Sequence, residues 1–160
     1  MYFDEKIETM PRSAMEELQS QRLQQTIKWV QEKSGFYQKK FADSKVALQD
    51  IEVIQDLNKL PFTTKEELIA NAPLGMLTLE MNSVVRIEPI ESLPPLVMAY
   101  TSADIRHSIE ILARCLVAGG LNISSIIQIY EDYFTPIAQG MQYAAEMIGA
   151  TVVPIKVKQL

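Results

Sequence analysis

The chain has 160 residues, with 15 Lys and Arg against 20 Asp and Glu, giving a net charge of −5 at neutral pH. That length favours one domain with a buried core, and 48% hydrophobic residues fits a globular chain, not a disordered one. The cations form no Lys/Arg run, which argues against a nucleic-acid groove or a patch for anionic membranes.

The single cysteine, Cys115, rules out an internal disulfide and fits a reducing compartment. No apolar run approaches the roughly 20 residues of a membrane span. The first residues, MYFDEKIE, are acidic where a signal peptide is basic. The expectation is a soluble, cytoplasmic protein.

Ser13-Ala14-Met15-Glu16 has the form of a capping box, a hydroxyl acceptor with a glutamate three residues on. It predicts a helix from there to about Lys33, with Leu23, Ile27 and Val30 as the apolar stripe and Gly35 as the stop. Phe36, Tyr37 and Phe41 predict a short second helix or turn. Val46 to Leu60 reads as a weak helix ending at Pro61. In Thr63-Thr64-Lys65-Glu66-Glu67 either threonine can cap a new helix, since each has a glutamate three residues on. Lys65 is then either a solvated first-turn residue or a group facing an anionic ligand. Asn71 to Asn82, with Pro73 and Gly75, reads as loop.

Val84-Val85-Arg86-Ile87 and Leu96-Val97-Met98-Ala99-Tyr100 read as paired strands. The linker between them, Glu88-Pro89-Ile90-Glu91-Ser92-Leu93-Pro94-Pro95, has no glycine and no lysine. A phosphate cradle needs backbone N–H groups aimed at the anion, close approach and a nearby cation. Pro89, Pro94 and Pro95 have no N–H to offer, and Glu88 and Glu91 repel phosphate.

Thr101-Ser102-Ala103-Asp104 opens a long helix whose core face is Ile105, Ile109, Leu112 and Leu116. Cys115 lies near that stripe and is expected as a small buried hydrophobe. His107 falls on the opposite side. As the only histidine it excludes a multi-histidine metal site and argues against a His-based triad. Gly119-Gly120 ends the helix. Ile126 to Tyr130 is the best strand in the chain. Thr135 is a good N-cap with Pro136 at the first helical position. Ile137, Met141, Ala144 and Ile148 are expected to stripe that helix, and Gly149 to supply its left-handed end. Thr151-Val152-Val153 forms the next strand, and Pro154 marks its end or an edge. Strand, helix and strand with short joints make a right-handed βαβ unit with parallel strands.

The order of IETM, SGFYQKKF, LPFTTKEEL, VVRI, YT at a helix start and IGATVVPI resembles the N-terminal region of phenylacetate–coenzyme A ligases, which are adenylate-forming enzymes. The resemblance runs from about Ile7 to about Ile155. LPFTTKEEL (Leu60 to Leu68) and GATVVPI (Gly149 to Ile155) are its most specific pieces. It implies ATP, Mg and coenzyme A as cofactors, an acyl-adenylate intermediate, a dimeric assembly, and a continuation that grips the nucleotide and adds a mobile C-terminal domain. It also implies a Ser/Thr/Gly-rich loop with one lysine where this chain carries Glu88 to Pro95.

In open α/β sheets ligands bind beyond the carboxyl ends of the strands, which puts Tyr130 to Thr135 at the mouth. The resemblance places an aromatic-acid pocket there. Tyr130, Gly140, Tyr143 and Glu146 match the family pattern; Glu131, Asp132, Tyr133, Ile137 and Ala138 depart from it, mostly where glycines or neutral residues stand. Tyr130, Tyr133, Phe134 and Met141 are the candidate substrate-facing residues. The competing reading is an ordinary capped loop with solvated acids. Glu131/Asp132 and Glu88/Glu91 lack metal-loop spacing, and no residue is assigned to catalysis or to a metal.

The expected fold is α/β: a helical N-terminal portion over residues 1–75, then a small mixed or parallel sheet with flanking helices over 84–160, within one domain. The expected role is a ligase-like binding or assembly module that uses no cofactor alone. The alternative is one chain of a split acyl–coenzyme A ligase, with ATP, Mg and coenzyme A. A homo-oligomer or a second chain completing the sheet is the expected partner, with no nucleic acid and no membrane.

Overall fold

The computed structural model describes residues 1–90, 96–130 and 135–155. It is α/β, as expected, and divides into two compact units: Met1–Met10 with Ser102–Leu160, and Pro11–Thr101.

The Pro11–Thr101 unit begins with α2 (Arg12–Lys33), preceded in the chain by the four-residue α1 (Glu5–Glu8) of the other unit. The Ser13 box does not form. Pro11 holds the N-cap position, no side chain caps it, and Glu16 instead takes Arg12 at 2.7 Å. The helix starts a residue early because Pro11, with φ −55°, already sets the entry angle. At the other end Ser34, not Gly35, closes α2. Ser34 is extended, and its hydroxyl accepts from the Tyr37 N–H, so it also caps α3 (Gly35–Asp43). Gly35 therefore opens the next helix and needs no left-handed turn.

Ile27, Phe41 and Ile51 are the buried heart of this unit, with Leu23, Val30, Tyr37, Val46, Leu48 and Leu60 packed around them. The stretch read as a weak helix is two 3-10 segments, Leu48–Asp50 and Ile54–Lys59. Next comes α4 (Lys65–Ala70), where Thr64 and Glu67 form a full capping box. The hairpin follows: β1 (Arg86–Ile90) runs antiparallel to β2 (Leu96–Tyr100), with Arg86 opposite Tyr100 and Ile90 opposite Leu96. The first strand sits two residues later than expected. Glu88, Pro89 and Ile90, read as linker, are strand residues.

In the other unit, α5 (Ser102–Ala118) packs against α6 (Pro136–Ile148), and α6 packs on β3 (Ile126–Tyr130) and β4 (Thr151–Ile155). The strands pair in parallel, Ile126 with Thr151 through Tyr130 with Ile155. Thr135 Oγ accepts from the Ala138 N–H at 3.2 Å, Pro136 is the first helical residue, and Gly149 ends the helix at φ +89°.

Two expectations are overturned here. Cys115 is exposed, not buried, and Ile137 is 71% exposed. The buried residues of the two helices are Ala113, Val117, Ala138, Ala144 and Ala145. A Cβ on Gly140 would lie only 2.9 Å from Leu112 Cδ1. Arg114, on the same helix as Cys115, reaches Glu8 of α1 at 3.4 Å.

Candidate functional site

Among the expected site residues, Lys65 is the first residue of α4 and is exposed, with no ion pair among the described residues. Its neighbours in LPFTTKEEL are structural. Thr63 Oγ lies 3.1 Å from the Tyr37 hydroxyl. Thr64 accepts from the Glu67 N–H at 3.3 Å while the Glu67 carboxylate accepts from the Thr64 N–H at 2.8 Å. The same carboxylate takes both its oxygens to Lys40 Nζ, one at 2.6 Å. Lys40 is only 10% exposed and sits over the Phe36 ring at 5.3 Å. The motif thus fixes α4 onto α3, while Lys65, Glu66 and the 92%-exposed Phe62 face outward and Leu68 is 40% exposed.

On the hairpin, Arg86 Nη1 lies 3.2 Å from Glu88 Oε1, both side chains half-buried. Arg86 is the only cation in the two strands, and Glu88 neutralises it. Pro89 lies opposite Val97 and brings no N–H. Glu91 to Pro95 lie outside the described residues. The described part of this segment is a paired strand, and triphosphate finds there neither a free cation nor a nest of N–H groups.

In the α/β unit, Tyr130 ends β3 and is 70% exposed, while Met141 is half-buried within α6. Tyr133 and Phe134, with Glu131 and Asp132, lie outside the described residues. Among the described residues no three His, Cys, Asp or Glu side chains come together as a metal site. His107 is 64% exposed and 4.0 Å from Glu110.

Sequence reasoning missed an acidic cleft of ≈ 560 Å³ in the Pro11–Thr101 unit, lined by Asp50, Glu52, Asp56 and Lys59 among others. Asp56 is its centre. One carboxylate oxygen accepts from the N–H groups of Glu52 and Val53 at 2.9 and 3.0 Å, and the other takes Lys59 at 2.8 Å. The hydrogen bond from Lys59, then those from the two N–H groups, pull the Asp56 carboxyl down to about 2. Lys40, then the Thr64 N–H, likewise lowers Glu67. Spacing could have signalled the Asp56 cap, three residues after Val53.

These shifts set an acid limb. Both folded values lie below the unfolded ones, so the folded state binds fewer protons. Their stabilisation is complete above the unfolded range and is lost as pH falls, for Asp56 between 3.8 and about 2. Urea midpoints measured against pH should fall across that window, and Asp56→Asn should flatten the fall. An unchanged slope in the variant would count against the cap.

Comparisons with known proteins complete the picture. No protein-family model matches the chain. It is 37% identical over 153 residues to the phenylacetate–coenzyme A ligase of Escherichia coli (strain K12), covering 93% of this chain and 35% of that protein. It is 30% identical over 159 residues to the phenylacetate–coenzyme A ligase of Thermus thermophilus, covering 97% and 36%. The chain corresponds to the N-terminal region of the phenylacetate–coenzyme A ligase family. It spans about 35% of the length of these relatives. A 2-hydroxyisobutyryl-coenzyme A ligase solved with 2-HIB-AMP and coenzyme A superposes with a TM-score of 0.84 at 19% identity, covering 98% of this chain and 38% of that one. That likeness shows that the chain shares the fold of the matched part of that ligase. No helix among the described residues is long and apolar enough to cross a membrane.

Proposed function

We propose that these 160 residues act as an assembly module of a phenylacetate–coenzyme A ligase-like protein and do not activate an acid by themselves. One observation carries the reading. The segment that holds ATP phosphates in the family is here Glu88 to Pro95, acidic and proline-rich, and its first three residues are consumed by a strand whose only arginine is already paired. Phosphate does not fit there, and no step through ATP is assigned to this segment.

Tyr130, Tyr133, Phe134 and Met141 remain the candidates for an aromatic acid. Lys65 remains the candidate for an anion. A second reading is favoured by the extent of the match. Relatives about three times as long, at 37% and 30% identity, support this chain as one part of a ligase that forms an aryl- or alkyl-acetyl-coenzyme A thioester from ATP, coenzyme A and the acid.

The two readings share a first test. The purified 160-residue chain, given an arylacetic acid, MgATP and coenzyme A, should form no thioester above the no-protein rate. Turnover by the chain alone would refute the assembly-module reading.

A further inference from the structure

The Pro11–Thr101 unit holds a groove of ≈ 570 Å³ between α2 and the Leu48–Asp50 segment. Its floor is apolar: Ile27 and Ile51 are 4% and 3% exposed, and Leu48 is half-buried. The rest of its lining is rich in acceptors. Glu32 and Glu52 both line it, and among the described residues neither carboxylate takes an ion pair or a hydrogen bond. Gln31 Oε1 is buried and accepts no hydrogen bond. Glu52 is held in place by its backbone alone. Its C=O accepts from Gln24 Nε2 at 2.6 Å, and its N–H donates to Asp56 at 2.9 Å. Glu52 also lines the acidic cleft around Asp56, so one unengaged carboxylate stands where the two hollows join. Together the hollows carry Glu32, Asp50, Glu52 and Asp56 against Lys28 and Lys59. Lys59 is already taken by Asp56 at 2.8 Å and the Asp50 carbonyl at 2.9 Å.

We propose that this groove binds a small primary amine with an aliphatic body. The hydrocarbon lies on Ile27, Leu48 and Ile51, and the ammonium donates to the Glu52 carboxylate. The Gln31 amide turns about its soft last torsion to take a second N–H. An ammonium has three donors and no acceptor, which matches a lining whose open positions are acceptors. The volume lies within the roughly 300–1,000 Å³ of small-molecule sites. Lys28 lines the groove without an ion pair, so the groove itself holds one positive and two negative groups, and a singly charged amine leaves it neutral. Other occupants fit less well. A carboxylic acid meets like charge, and a bare divalent cation wants oxygen ligands where the floor offers three aliphatic side chains. The site stands whether the chain is an assembly module or one part of a larger ligase.

The probe is n-hexylammonium, titrated at low salt into the whole 160-residue chain and followed by NMR of the backbone amides. It should saturate with a dissociation constant of about 1 mM or tighter and shift the signals of Ile27, Gln31 and Glu52. Hexanoate and hexanol, of the same length, should bind at least about tenfold more weakly, since neither brings the ammonium. Glu52→Gln should weaken hexylammonium about tenfold. Only the backbone of Glu52 bonds within the fold, so circular dichroism of that variant should match the parent. Glu110→Gln, on α5 of the other unit, should leave the affinity as it was. Shifts scattered over the surface, equal binding of hexanoate, indifference to Glu52→Gln, or no saturation below about 10 mM would each overturn the proposal. A lysine-rich peptide that saturates the groove where hexylammonium does not would make the occupant a protein segment and overturn it equally.

Discussion

Phe41→Ala is expected to remove about 3–5 kcal/mol from the Pro11–Thr101 unit, the usual cost of deleting a buried phenyl ring. Phe41 is 5% exposed and packs with Ile27 and Ile51, the other two buried members of that core. Tyr37 lies against it, ring centroids 5.7 Å apart. The core has few large members, so neighbours cannot collapse into the gap without uncovering Ile27 or Ile51. Domains of this size hold about 5–15 kcal/mol in total, and the loss takes a large share of that margin. Phe62 provides the internal control. It has the same side chain but is 92% exposed, so Phe62→Ala should change stability by no more than about 0.5 kcal/mol. Urea unfolding followed by circular dichroism separates the two. Equal effects would mean that the core is not where Phe41 sits.

Ala144→Leu is expected to be the most damaging single change in the α/β unit, at about 1–3 kcal/mol or more. Ala144, Ala145 and Ala113 are each 0% exposed. At Gly140, one turn before Ala144, an added methyl would lie 2.9 Å from Leu112 Cδ1, so that side chain would have to move. A leucine must therefore push α5 and α6 apart, and α6 is also the inner cover of the sheet. Tyr143→Leu alters the adjacent position, 45% exposed, and should be nearly silent. Hydrogen exchange would show the difference as lost protection along α5, α6 and β3 in the first variant only. Unchanged protection in Ala144→Leu would refute the close-packed helix pair.

Those alanines also explain what could be read from the sequence and what could not. The β3–α6–β4 segment was legible because every signal was local: an isoleucine-rich run from Ile126 to Tyr130, Thr135 and Pro136 at the helix start, Gly149 at its end. The Thr64–Glu67 box was legible for the same reason. The outward turn of Ile137 and Cys115 was not. Pattern reading follows large apolar side chains, whereas four of the five buried residues in these two helices are alanines, which give no strong amphipathic signal of their own. The Ser13 box looked as good as the Thr64 box, but Pro11 fixed the helix start ahead of it. Lys40 meeting Glu67 across 27 residues, and Arg114 meeting Glu8, depend on tertiary contacts that spacing does not encode.

The candidate site divides similarly. The sequence shows that Glu88 to Pro95 lacks glycine and lysine. It does not show that Arg86, the one cation of the two strands, is paired with Glu88. Lys65 is exposed and has no ion pair among the described residues, while Thr64 and Glu67 of its motif serve α4 and the contact with α3. Tyr130 and Met141 are placed, while Tyr133 and Phe134 lie outside the described residues.

The most direct measurement is isothermal titration of the 160-residue chain with MgATP at physiological salt. With Arg86 paired to Glu88 and no glycine or lysine from Glu88 to Pro95, the titration should give only heats of dilution up to about millimolar nucleotide. A saturable isotherm with a micromolar dissociation constant, weakened by substitutions in the hairpin, would contradict the account at its base.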